Sequence, residues 1–83
     1  MEIKGTIIAI EPTRTISDKF SVKNVVIETE DKFPQKLQCQ LSNDKISIAD
    51  NWSIGQQVTV GINLRGRESN GKYYNSIEIW KQL

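Results

Sequence analysis

The chain has 83 residues and a formal net charge of +1, from 11 basic and 10 acidic side chains; it has one cysteine and no histidine. This length sets one domain, residues 1–83, with one modest core. The balanced charge excludes both a histone-like basic protein and an acidic tail protein. With Cys39 alone and no histidine, no Cys/His metal site, no Ser-His or Cys-His nucleophile pair and no internal disulfide can be assembled.

A single thiol fits a reducing cytoplasm. MEIKGTIIAI, with charges inside a short apolar run, reads neither as a signal peptide nor as a membrane span. The expected location is therefore cytoplasmic, without membrane contact. Asn51-Trp52-Ser53 matches a glycosylation sequon, which in a chain of this kind is a chance match.

β-branched residues and period-2 alternation dominate, with glycine and proline at the joins. The first predicted strand is Glu2 to Glu11, closed by Pro12. Ile3, Ile7, Ile8 and Ile10 cannot share one face, and Gly5 is the expected site of a bulge or bend. Residues 13–19 read as a polar loop. The second strand is Phe20 to Glu30: Val25, Ile27 and Thr29 share one face, and Val22, Asn24, Val26 and Glu28 the other. Asp31 to Pro34 form a turn pinned by Phe33. The third strand, Gln35 to Leu41, alternates Leu37, Cys39 and Leu41 inward with Lys36, Gln38 and Gln40 outward, and makes Cys39 a small buried apolar group.

SNDKISIADNW reads as a short helix capped by Ser42 or Asn43. Ile46, Ala49 and Trp52 on one of its faces would plug the core. The fourth strand places Val58, Val60, Ile62 and Leu64 inward. Asn70-Gly71 is the favoured type I′ pair for a hairpin turn. The fifth strand, Tyr73 to Lys81, puts Tyr73, Ile77 and Ile79 on the core parity, with Tyr74, Ser76, Glu78 and Trp80 outward. The predicted fold is thus all-β with one short helix, in the order β-β-β-α-β-β. That is the plan of a five-stranded OB-fold Greek-key barrel. An SH3-like barrel has no helix at this point.

No residue pattern points to catalysis. The carboxylates are scattered, and Glu28 with Glu30 reads as a solvated face. GRESNGK, residues 66–72, has the spacing of a phosphate loop, but Tyr73 stands where Ser or Thr is required and the segment joins two strands. The expectation is a protein that is not an enzyme and needs no cofactor and no metal.

The stretch LRGRESNGKYYN, residues 64–75, carries Arg65 and Arg67 two apart on one face of a strand. In the OB-fold plan this hairpin and the loop after the first strand flank the ligand groove. Cations along a groove with flat rings are what a single strand of nucleic acid requires. The candidate phosphate contacts are Arg14, Lys19, Lys23 and Lys36, with Arg65, Arg67 and Lys72 from the hairpin. The candidate stacking rings are Phe20, Tyr74 and Trp80, and Trp80 reads equally well as end-cap packing.

VVIETEDKFPQKLQCQL at 25–41, NLRGRE at 63–68 and KYYNSIEIWK at 72–81 resemble a family of short OB-fold proteins of uncharacterised function from Bacteroidota and their phages. The resemblance covers essentially the whole chain. It implies binding of single-stranded DNA, in the manner of small primosomal or phage single-strand-binding proteins, with Arg65, Arg67, Tyr74 and Trp80 at matching positions.

The expected function is therefore binding of single-stranded DNA, with RNA as the alternative, with little sequence preference, in replication, recombination or repair. With so few cations one domain binds weakly, so a homo-oligomer is the expected active form. The competing expectation is an assembly or protein-interaction module, such as a phage accessory or structural subunit, using Val22, Val26 and Trp80 as outward apolar residues. An oligosaccharide-binding module is a third.

Overall fold

The computed structural model describes residues 1–83. Its elements are β1 (Glu2–Ile10), β2 (Arg14–Ser17), β3 (Phe20–Thr29), β4 (Lys36–Ser42), a 3-10 helix (Asn43–Ala49), β5 (Gln57–Ser69) and β6 (Lys72–Gln82). About 65% of the residues lie in strands, and the sheet closes into a ring, giving a barrel-like all-β fold. The strand order is β1-β5-β6-β4-β3-β2, and β1 also pairs with β3. Five strands therefore make the ring, as the sequence pattern predicts, and β2 is added outside it along β3. No helix is long and apolar enough to cross a membrane.

β1 closes the ring by pairing on both edges. Glu2 to Thr6 run antiparallel to β5, and Gly5 to Ile10 run antiparallel to β3. The two registers overlap at Gly5 and Thr6, with Gly5 opposite Thr29 on one side and Val58 on the other. A Cβ there would sit 2.2 Å from the Glu28 carbonyl oxygen, so only glycine permits the approach. The bulge expected at Gly5 lies instead between Ile7 and Ala9, with Ile8 as the extra residue. It is what lets Ile7 stay inside while Ile8 and Ile10 are only half-buried.

One apolar cluster fills the ring, including Ile7, Val25, Ile27, Cys39, Leu41 and Val60, all fully buried. Ala49 and Trp52 plug it from the helical segment, as predicted, and Ile46 packs against it half-buried. The Trp52 indole N–H donates to Gln82 Oε1 at 3.2 Å, which satisfies its polar atom near the core. The helix is 3-10 rather than α. Ser42 occupies its N-cap without a side-chain bond, and Asn43 instead accepts the Ser21 amide through Oδ1 at 3.0 Å. That bond ties the helix start to β3.

Several parity expectations fail for identifiable reasons. Residues 14–17, expected as loop, form β2 because Arg14 and Thr15 pair with Val22 and Ser21. Val22 keeps the outward parity but, flanked by strands on both edges, is 1% exposed rather than an exposed apolar residue. Leu64 and Tyr73, assigned to the core parity, do keep that parity but lie beyond the end of the barrel, at 62% and 76% exposure. Phe33 pins nothing: it is exposed at the turn, with the Lys32 ammonium 5.8 Å from its ring centre. Asn70 and Gly71 adopt φ of 53° and 78°, the type I′ turn their sequence predicts.

The radius of gyration is 13.1 Å, against about 12 Å for a compact domain of this length. The excess is the outer half of the β5–β6 hairpin, residues 63–75, which is exposed on both faces.

Gly5→Ala should lower the unfolding free energy by about 1–3 kcal/mol or more through overpacking against backbone. Urea denaturation followed by tryptophan fluorescence checks this; an unchanged midpoint would show that the ring closes without the close approach at Gly5.

Candidate nucleic-acid interface

Residues directly opposed in a ladder share a face, so the registers define one continuous surface across five strands. On β5 and β6, Arg65 faces Ser76 and Arg67 faces Tyr74. Glu78 stands beside Gln40 of β4, Gln40 beside Asn24 of β3, and Gln38 beside Val26. Arg14 of β2 lies beside Val22 at the far side. Phe20, two residues before Val22 on the same strand, completes the row of outward positions.

This surface is hollowed. Three adjoining clefts of about 610, 520 and 320 Å³ all include Asn75 and Ser76 in their walls. They form one depression between the projecting hairpin and β4, where the parallel β4–β6 ladder extends over only Cys39–Gln40 and Ile77–Glu78. The middle cleft holds the rings of Phe20 and Tyr74 with Arg65 and Arg67. The third reaches Arg14, Asn24, Gln38 and Gln40.

Of the cations and rings expected at a binding groove, the structure brings together Arg14, Phe20, Arg65, Arg67 and Tyr74. It leaves five outside the walls. Lys19 lies in the β2–β3 turn. Lys23 opposes Leu41 and so points to the inner side of the sheet, half-buried. Lys36 keeps the outward parity but lies at the other end of β4, opposite Glu28. Lys72 lies at the hairpin tip, opposite Ser69. Trp80 is the extra residue of a bulge, since Gly61 pairs with Lys81 and Ile62 with Ile79. Its indole turns back beside Gly61, where a Cβ would stand 3.1 Å from Nε1, and the Lys81 ammonium lies 4.5 Å from its ring centre. The ring is 41% exposed but away from the groove.

The amides are what the sequence reading overlooked. Asn24, Gln38, Gln40 and Asn75 line the depression with Ser76, and none spends its side chain on a hydrogen bond within the protein. Gln38 and Gln40 were legible as outward positions of a clean alternation. An amide in such a row is a weaker signal of binding than charge or aromaticity.

The two groove arginines differ. Arg65 Nε lies 3.5 Å from Glu78 Oε1, a pair on side chains 62% and 31% exposed. Such partly exposed pairs are worth about 0.2–1 kcal/mol. Arg67 pairs with no carboxylate and instead lies over the Tyr74 ring at 5.6 Å. That contact is worth about 0.5–1 kcal/mol at an exposed site. Stacking of a base on an aromatic ring, at about 1–3 kcal/mol, exceeds either and could displace them.

Covalent chemistry finds no support in the thiol. Cys39 is fully buried in the core, and desolvation pushes its pKa up from 9.0 to about 11.

The chain matches, over residues 2–82, a protein family described as a domain of unknown function (DUF3127). No curated protein matches it.

Two outcomes follow from this geometry. Arg67→Ala and Tyr74→Ala should each lower the unfolding free energy by no more than about 1 kcal/mol, the size of their mutual contact, since both side chains lie on exposed surface. A larger loss in urea titration would make these residues structural.

The Cys39 thiol should resist a disulfide reagent at pH 8 in the folded protein and react on addition of denaturant. Because the folded thiol holds its proton up to about 11 and the unfolded one only to about 9.0, its burial contributes stability that is complete below pH 9 and is lost as pH rises through 11. Rapid labelling of the native protein, or a urea midpoint flat across that window, would contradict the buried placement.

Proposed function

The chain belongs to the DUF3127 family, and we propose that it is a non-enzymatic module that binds single-stranded nucleic acid, DNA in the first place, across the outer face of its sheet. One observation carries this reading: Arg14, Arg65 and Arg67 border the same connected depression as the rings of Phe20 and Tyr74. The ring of strands follows the OB-fold plan, in which this face and its flanking loops take oligonucleotides and oligosaccharides.

Each part has a physical role. The guanidiniums hold phosphates in bidentate fashion. The rings stack on unpaired bases of any identity, which makes most of the binding tolerant of sequence. The free amides of Asn24, Gln38, Gln40 and Asn75 donate to and accept from base edges and sugars. A saccharide site would want rings with amides as well, but three arginines at its border favour an anionic ligand. A module of this kind would serve replication, recombination or repair in the cytoplasm. Its weak single-domain affinity would rise when several copies act on one strand.

The hairpin offers a second surface. On its other face Tyr73 is 76% exposed, and beyond Ile62 the outer edge of β5 has no partner strand. This favours, as a second reading, assembly through the hairpin; concentration-dependent mass in light scattering, abolished by Tyr73→Lys, would support it.

Fluorescence anisotropy with labelled oligo-dT tests the main reading. Binding should be measurable at about 50 mM salt and weaker at about 200 mM, with a log–log slope of about −1.4 to −2.1 for two to three phosphate contacts. Arg14→Ala with Arg67→Ala should weaken it at least about tenfold, the loss of two charge-assisted contacts. No binding at low salt, or binding indifferent to these substitutions, sinks the proposal.

A further inference from the structure

Glu78 is the one carboxylate in the walls of the depression. In the ladders it stands between Gln40 and Asn63, and its side chain is only 31% exposed. Neither of its oxygens accepts a hydrogen bond from the protein, and its one ionic partner is the Nε of Arg65. The terminal nitrogens of that guanidinium are left free.

An acid in this place decides what can lie against it. A phosphate brought against the carboxylate meets a like charge and is repelled. The backbone of a bound strand therefore passes to the arginines, and a base faces Glu78. A carboxylate only accepts hydrogen bonds. Guanine offers it two adjacent donors, N1–H and the N2 amine, spaced for the two oxygens, and beside them the O6 acceptor for an Arg65 terminal nitrogen. Cytosine and adenine each offer one amine next to a ring nitrogen whose lone pair would oppose the second oxygen. Thymine and uracil offer one N–H between two carbonyls, both repelled. Tyr74, four residues along β6 and in the wall of the same cleft, supplies a platform for a base of the same strand.

We propose that Glu78, with Arg65, makes one position of the groove selective for guanine, read on its Watson–Crick edge. The proposal rests on the single-strand-binding reading and adds to it: the strand is held with little regard to sequence except at this position. Glu78 is here a specificity-determining residue.

The test compares three short oligonucleotides at low salt: all-dT, dT with one central dG, and dT with one central deoxyinosine, which lacks the N2 amine. With the protein unaltered, the dG strand should bind about tenfold or more tighter than all-dT, and the deoxyinosine strand in between. Glu78→Gln should erase the dG advantage, bringing the ratio of dG to all-dT binding to about one; a merely damaged fold would weaken all three strands and keep their ratio. If all-dT binds and dG gains nothing, or if the dG gain survives Glu78→Gln, the guanine assignment is overturned and the single-strand reading stands. If no strand binds, both fall. The deoxyinosine comparison needs no variant, so the assignment remains decidable even if Glu78→Gln fails to fold.

Discussion

Everything in this fold depends on one strand bonding along both edges. β1 has nine residues, and it must leave β5 and join β3 within them. Gly5 makes the transfer possible by letting the Glu28 carbonyl come where a side chain would stand. Flanking backbone bonds secure it: Glu30 donates to Lys4 on one side, and Gly55 to Ile7 on the other. Closing the sheet matters more for a short chain than for a long one. A core this small leaves little stability in reserve, and an open sheet would add unpaired edges that invite other strands.

Closure also decides where function can lie. The ring uses β5 only as far as Gly61 for pairing with β1, and β6 only at Ile77 and Glu78 for pairing with β4. The rest of the hairpin has no core to serve. A two-stranded ribbon alone is marginal in water. This one persists because its ladder continues without a break from Ile62–Ile79 to Ser69–Lys72 and ends in a type I′ turn. Its side chains are thus free of packing demands. Arginines and tyrosines there cost the fold little and stand beside the gap that β4 and β6 leave open.

The strand ring was legible because its signals are local: alternation gave Leu37–Cys39–Leu41 and Val58–Val60–Ile62, and Asn70-Gly71 gave the turn. What escaped depends on partners far along the chain. β2 is visible only once β3 is there to pair with it, and with β2 comes the burial of Val22. Parity predicted the side of Leu64 and Tyr73 but not that the barrel stops before them. Bulges moved Ile8 and Trp80 off their expected alternation, and a one-residue slip of that kind leaves no mark in composition. In the candidate site, Arg65, Arg67 and Tyr74 could be picked out by type and spacing. Arg14 reached the groove by strand pairing rather than by a loop. Lys23 was lost to it because a residue next to Val22 faces the other way.

The charges around the groove explain how such a site would choose its ligand. Three arginines and Glu78 leave a surplus of two positive charges there, on a protein whose overall charge is +1. Screening at about 0.1 M salt cuts fields off beyond about 10 Å, so long-range steering contributes little. Selection must come at contact, where stacking at about 1–3 kcal/mol per base outweighs an exposed ion pair at about 0.2–1. Flat rings at Phe20 and Tyr74 require bases that are unstacked and unpaired, and a duplex offers none. On the proposed reading, a weakly charged groove with two rings would discriminate by the cost of exposing bases, which is already met in a single strand. The same surface on a strongly basic protein would lose that discrimination, because phosphate attraction alone would hold duplex and single strand alike.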